Sequence, residues 1–447
     1  MTGKKQDRTH HPRRAFSSLL GAEKELRSAL PGPEDIIRTE LPNGIVVLAR
    51  QNFSSPSVVI SGYLPAGSLY DPDEKLGLAD FTALGLMRGT ALRDFQQIYD
   101  ALESTGASLS VDSGMHTVGF YGKALAEDLD LLLSILAEVL RQPTFPVDQI
   151  ERLRAQLLTG LAIRAQDTGE MAGMAFNHLV YAGHPYRRPE DGYPETIQAI
   201  SREDLVAFHQ KHYGPGGMVL AVVGAVDPHR ASEAALKALG DWRNAAQPGQ
   251  PPLPPLQPLN ETLSRCVDIP GKAEADLVLG VAGPRRASPD FVAASLGNSV
   301  LGQFGMFGRI GKAVREKAGL AYFASSSLSG GIGPGPWMVS AGVNPKNLEQ
   351  TIELIRAEIA RFVAEPVTAE ELQDSQANFI GRLPLSLESN SGVAAALLNL
   401  ERYSLGMDYY HRYPGLVSAV TPREALEAAR RYLHPERLAI AYAGTFD

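Results

Sequence analysis

The feature that most limits how this chain can fold is a repetition of its own punctuation, set 220 residues apart. Ser201-x-x-Asp204 is a capping-box variant that opens a helix, with Asp standing where Glu or Gln is usual. That helix runs to Tyr213, breaks at Gly214-Pro215 and gives way to an apolar strand, Met218–Val223, which stops at Gly224. Thr421-x-x-Glu424 opens a second helix in the same way, His434-Pro435 breaks it, and the strand Leu438–Ala443 stops at Gly444. Laid over each other without gaps, Ser201 meets Thr421, Asp204 meets Glu424, Pro215 meets Pro435 and Gly224 meets Gly444. Self-similarity at about half the chain length predicts two similarly folded halves.

The join between the halves is a composition shift. Gln247–Pro258 is too rich in proline for a helix or a central strand, and predicts an extended, semi-rigid spacer. The expected divisions are a tail with a short helix (Ser17–Leu30) over 1–35, an N-terminal domain over 36–245, the spacer over 246–261 and a C-terminal domain over 262–447. Within the first half, Ile45–Ala49 and Ser57–Leu64 pattern as strands, and Ser108–Ser113 with His116–Tyr121 as a hairpin. Asp94–Thr105, Leu125–Leu140 and Val147–Gln166 pattern as helices. The second half restarts with a strand at Leu277–Val281 and a helix at Ser288–Leu301. Hairpins interspersed with helices argue for an α+β fold rather than a doubly wound parallel sheet.

Composition removes several function classes. A net charge of −8 gives no basic surface for nucleic acid. No apolar run approaches the roughly 18–20 residues that span a bilayer, so no membrane role is expected. The only cysteine, Cys266, excludes an intrachain disulfide and a thiolate metal cluster, and the expected setting is the reducing cytoplasm. The N-terminus is basic but lacks a secretory apolar region, and Asp7, Glu23 and Glu25 argue against a transit peptide.

Two stretches stand out for chemistry. Gly77–Thr90, GLADFTALGLMRGT, is an apolar helix pattern with Asp80 and Arg88 as its only ionisable groups. Val314-Arg-Glu-Lys-Ala-Gly-Leu-Ala-Tyr322 reads as a helix ending at Lys317, a Gly319 cap and a strand from Leu320, a turn able to bring Arg315 and Tyr322 to one side. Other features read as structural. His209 and His212 lie at i, i+3 with no third ligand near, and are expected on a solvated face. His184-Pro185-Tyr186 is expected in a loop supporting the sheet. Ser329–Pro336 is glycine-rich but lacks the Lys-Ser/Thr of a phosphate loop, and Ser386 and Ser389 look structural.

The frame of Gly77–Thr90, together with GHPYRRP, VREKAGLAY and LPLSLESNSG, resembles the pitrilysin/insulinase family of zinc peptidases from about Leu41 to Gly444. The resemblance implies two α+β halves, each an antiparallel-rich sheet covered by helices, enclosing a peptide-binding chamber. In active members the first helix carries the inverted motif H-x-x-E-H, two His holding zinc and Glu activating its water. Here those places hold Asp80, Ala83 and Leu84, and the family's distant acidic ligand falls on Gly160. The metal site is vacated, and no metal is expected in this chain. The family's Arg/Tyr pair is kept as Arg315 and Tyr322, which in the family hold the scissile carbonyl as its oxygen gains charge. The resemblance thus implies a zinc-less subunit that binds peptide and lends Arg315 and Tyr322 to a homologous, zinc-bearing partner. The alternative is a scaffold or peptide-binding protein of the same fold. Gly302–Gly308 is the nearest counterpart of the glycine-rich substrate loop found in some zinc-less subunits, but bulky Phe304, Met306 and Phe307 interrupt it.

Overall fold

The computed structural model describes residues 30–303 and 308–446, so the helix expected over Ser17–Leu30 lies, but for its last residue, outside the described residues. The N-terminal half builds a six-stranded sheet from β1 (Ile37–Glu40), β2 (Val46–Gln51), β3 (Ser57–Leu64), β4 (Ser108–Ser113), β5 (Val118–Leu125) and β6 (Val219–Gly224). Its order is β1-β2-β6-β3-β5-β4. The C-terminal half builds a second sheet from β7 (Leu263–Asp268), β8 (Ala275–Ala282), β9 (Ala321–Leu328), β10 (Pro336–Val343) and β11 (Ala439–Gly444), in the order β7-β11-β8-β10-β9.

Apart from β1, the two orders are the same. β6 runs parallel to β2 and antiparallel to β3, and β11 runs parallel to β7 and antiparallel to β8. The remaining pairs are antiparallel. β6 and β11 are the two strands of the sequence repeat, and their placement shows that the repeat extends to the whole sheet. Both capping boxes form: Ser201 accepts from the Asp204 N–H while Asp204 accepts from the Ser201 N–H, and Thr421 and Glu424 do likewise.

The helices of the first half are α1 (Leu78–Gly85), α2 (Phe95–Glu103), α3 (Leu129–Arg141), α4 (Val147–Arg164), α5 (Thr168–Val180), α6 (Pro194–Ala199), α7 (Arg202–His212) and α8 (Pro228–Leu239). Those of the second are α9 (Phe291–Asn298), α10 (Leu348–Ala364), α11 (Ala369–Ser386), α12 (Asn390–Arg402), α13 (Tyr409–Ser418) and α14 (Pro422–Tyr432), with short turns at Arg309–Gly311 and Lys312–Lys317. Among the described residues no helix is long and apolar enough to cross a membrane.

Each sheet is apolar on both faces, so each needs two covers. One face of the first sheet (Val47, Ala49, Val58, Ile60) packs on that half's own helices through Phe81, Leu132 and Leu136. The other face (Leu48, Val59, Val219, Ala221, Val223) packs on Val393, Ala394, Leu397 and Leu398 of α12, a helix of the second half. The arrangement is reciprocal. Val278, Ala439, Ala441 and Ala443 of the second sheet pack on Ala172, Ala175, Phe176 and Val180 of α5, a helix of the first half. Side chains pin both exchanged helices: Asn52 Nδ2 donates to Asn390 Oδ1 at 2.8 Å, and Thr168 Oγ1 donates to Asp276 at 2.5 Å. The proline-rich spacer carries no helix or strand, and its start is docked on the first half, where Gln247 Oε1 accepts from Gly216 N at 2.8 Å.

Candidate functional site

Helix α1 is entered through a tight turn. Gly77 sits at φ +92°, a left-handed conformation that favours glycine, and the Asp71 carboxylate accepts from Gly77 N and Ala79 N at 2.9 Å each. A carboxylate six residues upstream thus satisfies donors that the helix start leaves open. Phe81 is fully buried beneath the guanidinium of Arg154, 5.1 Å from its ring centroid. Asp80 is half-buried, Ala83 is fully buried and Leu84 packs against the core. Asp80 and Leu84 share one helix face a turn apart. Gly160 lies exposed on α4, with open space where a side chain would be. Of these four positions only Asp80 carries a donor, so the residues present do not fit zinc. Among the described residues no three His, Cys, Asp or Glu side chains are grouped to hold a metal ion.

The surroundings of Asp80 are acidic. Burial pushes its carboxyl up to about 7, and Asp191, Glu190 and Asp112 add to the effect. Burial also pushes Asp71 up to about 7, against the pull of its two backbone donors. Tyr213, buried with no hydrogen-bond partner for its hydroxyl, is raised by burial and by Asp80 and Asp71. A carboxyl whose folded-state pKa lies above its unfolded value binds more protons in the folded state. Its stabilisation is complete below about pH 4 and is lost as pH rises through 7. Asn keeps the shape of the protonated acid at every pH. Asp80→Asn is therefore expected to gain about 1–3 kcal/mol of stability on the unsubstituted chain between pH 4 and pH 8. Urea unfolding across that range measures it, and parallel stability profiles would remove the electrostatic account.

The second candidate segment follows its expected course with one refinement. Lys312–Lys317 is a π-helical turn, Gly319 sits at φ +65°, and Leu320 N donates to Val314 O at 3.0 Å, closing the turn before β9 begins. This turn brings the stretch carrying Arg315 back beside the start of β9, an edge strand, where Tyr322 is the second residue. Arg315 is exposed and Tyr322 is 77% exposed. Neither side chain bonds the other or any residue of α1, and among the described residues neither has a hydrogen bond or ion pair.

The expectation for His209 and His212 is corrected. His212 is 6% exposed and stacks with Phe208 and Tyr70, while His209 Nε2 lies 2.9 Å from Leu140 O and its ring packs on Phe145 and Tyr213. His212 is a core residue and His209 is half-buried, and burial lowers the pKa of each, His212 to about 4. Flanking apolar residues, Phe208 and Tyr213, carry this face of α7 inward. The His184 loop is supportive, as expected, but it supports the other half. Tyr186 accepts from Gly333 N at 2.9 Å, and Tyr181 donates to Pro334 O at 3.1 Å. That contact is what the glycines of Ser329–Pro336 permit, since a Cβ on Gly333 would stand 2.4 Å from the Tyr186 hydroxyl. Ser389 caps α12 and Ser386 bonds Leu383 O, both structural.

Residues 46–183 match the family model described as insulinase (peptidase family M16), and residues 199–379 match the one described as the peptidase M16 inactive domain. The chain is 26% identical over 397 residues to an uncharacterized zinc protease of Mycobacterium leprae, covering 86% of this chain and 87% of that protein. It is 28% identical over 291 residues to subunit 1 of the mitochondrial cytochrome b-c1 complex of Bos taurus, covering 64% of this chain and 59% of that one. The crystal structure of a peptidase M16 inactive domain from Pseudomonas fluorescens superposes with a TM-score of 0.85 at 25% identity, covering 92% of this chain and 98% of that chain.

Proposed function

Because the chain belongs to the insulinase (M16) peptidase family, we propose that it is the metal-free subunit of a two-chain peptidase that cleaves unfolded peptides. One contrast carries the reading: of the four positions that would hold metal only Asp80 carries a donor, while Arg315 and Tyr322 stand exposed at an edge strand with no partner among the described residues. A solvated guanidinium fork and phenol held beside one turn have little structural work to do. They suit hydrogen-bond donation to a carbonyl oxygen as it gains charge. The zinc belongs to the partner, a homologous chain with an intact H-x-x-E-H, and the peptide-binding chamber is completed between the two. The exposed, free Cys266 fits a reducing cytoplasmic setting.

The experiment is reconstitution. The purified chain alone is expected to hold no stoichiometric zinc and to leave a quenched unfolded peptide intact. Mixed with a zinc-motif chain encoded beside it, it is expected to form a complex that cleaves the peptide. Stoichiometric zinc and cleavage by the isolated chain would overturn the proposal. The resemblance to a cytochrome b-c1 complex subunit favours one second reading, a scaffold role without catalytic contribution. In that case the complex forms and the partner's turnover is unchanged by it.

A further inference from the structure

Helices α11 and α13 pack together beside the loop that carries Arg286, leaving a cavity of about 300 Å³. Its wall is aromatic (Phe379, Tyr409, Tyr410, Tyr413) and its charge comes from Arg286 and Arg382; none of the described lining residues is acidic. In a chain with 50 acidic and 42 basic residues, two arginines on one cavity wall with no carboxylate among its described lining go against composition. Among the described residues neither arginine has an ion-pair partner.

Arg286 is held in place by two aromatic residues. Its guanidinium lies 4.7 Å from the Phe291 ring centroid and 5.4 Å from that of Tyr409, and it donates to the Tyr409 hydroxyl at 2.8 Å. Such stacking fixes the plane of the fork while leaving donor positions open, which lowers the ordering cost of receiving an anion. Arg382 projects from α11 and is exposed, free to close on whatever enters. Tyr410 and Tyr413 are pushed up to about 12 by burial, so both phenols remain protonated at physiological pH. Arg286 and Arg382 both lower the Tyr413 pKa against the effect of burial, so both charges are felt at this phenol. The site combines one held and one exposed cation with an aromatic wall, in a volume at the small end of ligand pockets.

We propose that this pocket takes the free C-terminus of a peptide ending in an apolar or aromatic residue, with Arg286 and Arg382 on the carboxylate and the last side chain against the tyrosines. This rests on the peptide-handling role proposed above and adds a polarity to it. The volume suits one terminal residue rather than a length of chain. A planar carboxylate matches a guanidinium fork in two parallel bonds, whereas a bare phosphate would leave the aromatic wall unused. Anchoring one end of a peptide fixes the distance from that end to the cleaved bond, so the subunit would measure its substrate from the C-terminus.

Titration calorimetry on the full chain alone, without a partner, tests this. The probes are an unstructured nonapeptide ending in Phe, the same peptide as its C-terminal amide, and inorganic phosphate. The free acid is expected to bind about ten- to a hundredfold tighter than the amide, the range of a hydrogen bond to a charged group. Arg382→Ala, at an exposed and unpaired position, is expected to leave the circular dichroism and Tm unchanged and to abolish that preference. Phosphate is expected not to compete at millimolar concentration. Equal affinity for acid and amide, or a preference that survives Arg382→Ala, overturns the anchor while leaving peptide binding in place. Phosphate binding as tight as the acid's marks a general anion site and also overturns it. Absence of any peptide binding removes both the anchor and the peptide-handling role.

Discussion

Replacing Arg315 by Ala, or Tyr322 by Phe, is expected to lower turnover of the reconstituted pair by roughly 10²–10³-fold, the range seen when one oxyanion donor is removed. The same variants are expected to change the stability of this chain by no more than about 0.5 kcal/mol. The separation follows from the geometry. Tyr322 is 77% exposed, Arg315 is exposed, and neither bonds to anything among the described residues, so their removal breaks no native contact. A donor used only as the oxyanion forms lowers kcat and kcat/KM together, whereas a donor that merely holds peptide raises KM alone. Steady-state kinetics with a quenched peptide therefore distinguish the two uses. Arg315→Lys is expected to recover only part of the rate, since a point charge does not reproduce the planar fork. Unchanged turnover in both Arg315→Ala and Tyr322→Phe would remove these residues from the chemistry and favour the scaffold reading.

The sequence made some of this legible and hid the rest for identifiable reasons. Capping boxes, Gly-Pro breaks and the 220-residue repeat are local signals, and they placed β6, β11 and the helices before them to within a residue or two. β1 (IRTE) and β7 (LSRCVD) went unread because they are edge strands with half-exposed side chains and no apolar run. The helix α5, TGEMAGMAFNHLV, went unread for another reason: its buried face, two alanines with Phe176 and Val180, packs against the sheet of the other half. Asp80, Ala83, Leu84 and Gly160 are singled out only by the family resemblance. The acidic field around Asp80 could not be read from the sequence, because Asp112, Glu190 and Asp191 come from separate segments. The pocket between α11 and α13 is the same case, with Arg286 and Arg382 brought together only by the fold. The histidines of α7 misled because two polar residues at helical spacing suggest an outer face. Here stacking on Phe208 and Tyr70 puts His212 inside, and packing on Tyr213 half-buries His209.

Truncating Phe176 to Ala is expected to cost about 3–5 kcal/mol of unfolding free energy, and to loosen the half of the molecule in which the residue does not sit. Phe176 is fully buried on α5, a helix whose sequence belongs to the first half and whose contacts are with Val278, Ala439, Ala441 and Ala443 of the second sheet. Those neighbours are small and are fixed in a ladder of backbone bonds, so they cannot move in to fill the space a phenyl ring leaves. The reciprocal site predicts the mirror outcome. Leu397→Ala on α12, also fully buried, is expected to cost about 2–5 kcal/mol and to loosen Leu48, Val59, Val219 and Val223 of the first sheet. Hydrogen exchange reads the direction: faster exchange in β8 and β11 for Phe176→Ala, and in β3 and β6 for Leu397→Ala. If each substitution instead loosened only its own half, the exchanged helices would be packing decoration and the halves independent domains on a proline spacer. If the crossed pattern holds, neither half can present a finished sheet without the other. Helix α1 in one half and the exposed Arg315/Tyr322 segment in the other would then be parts of one cooperative unit.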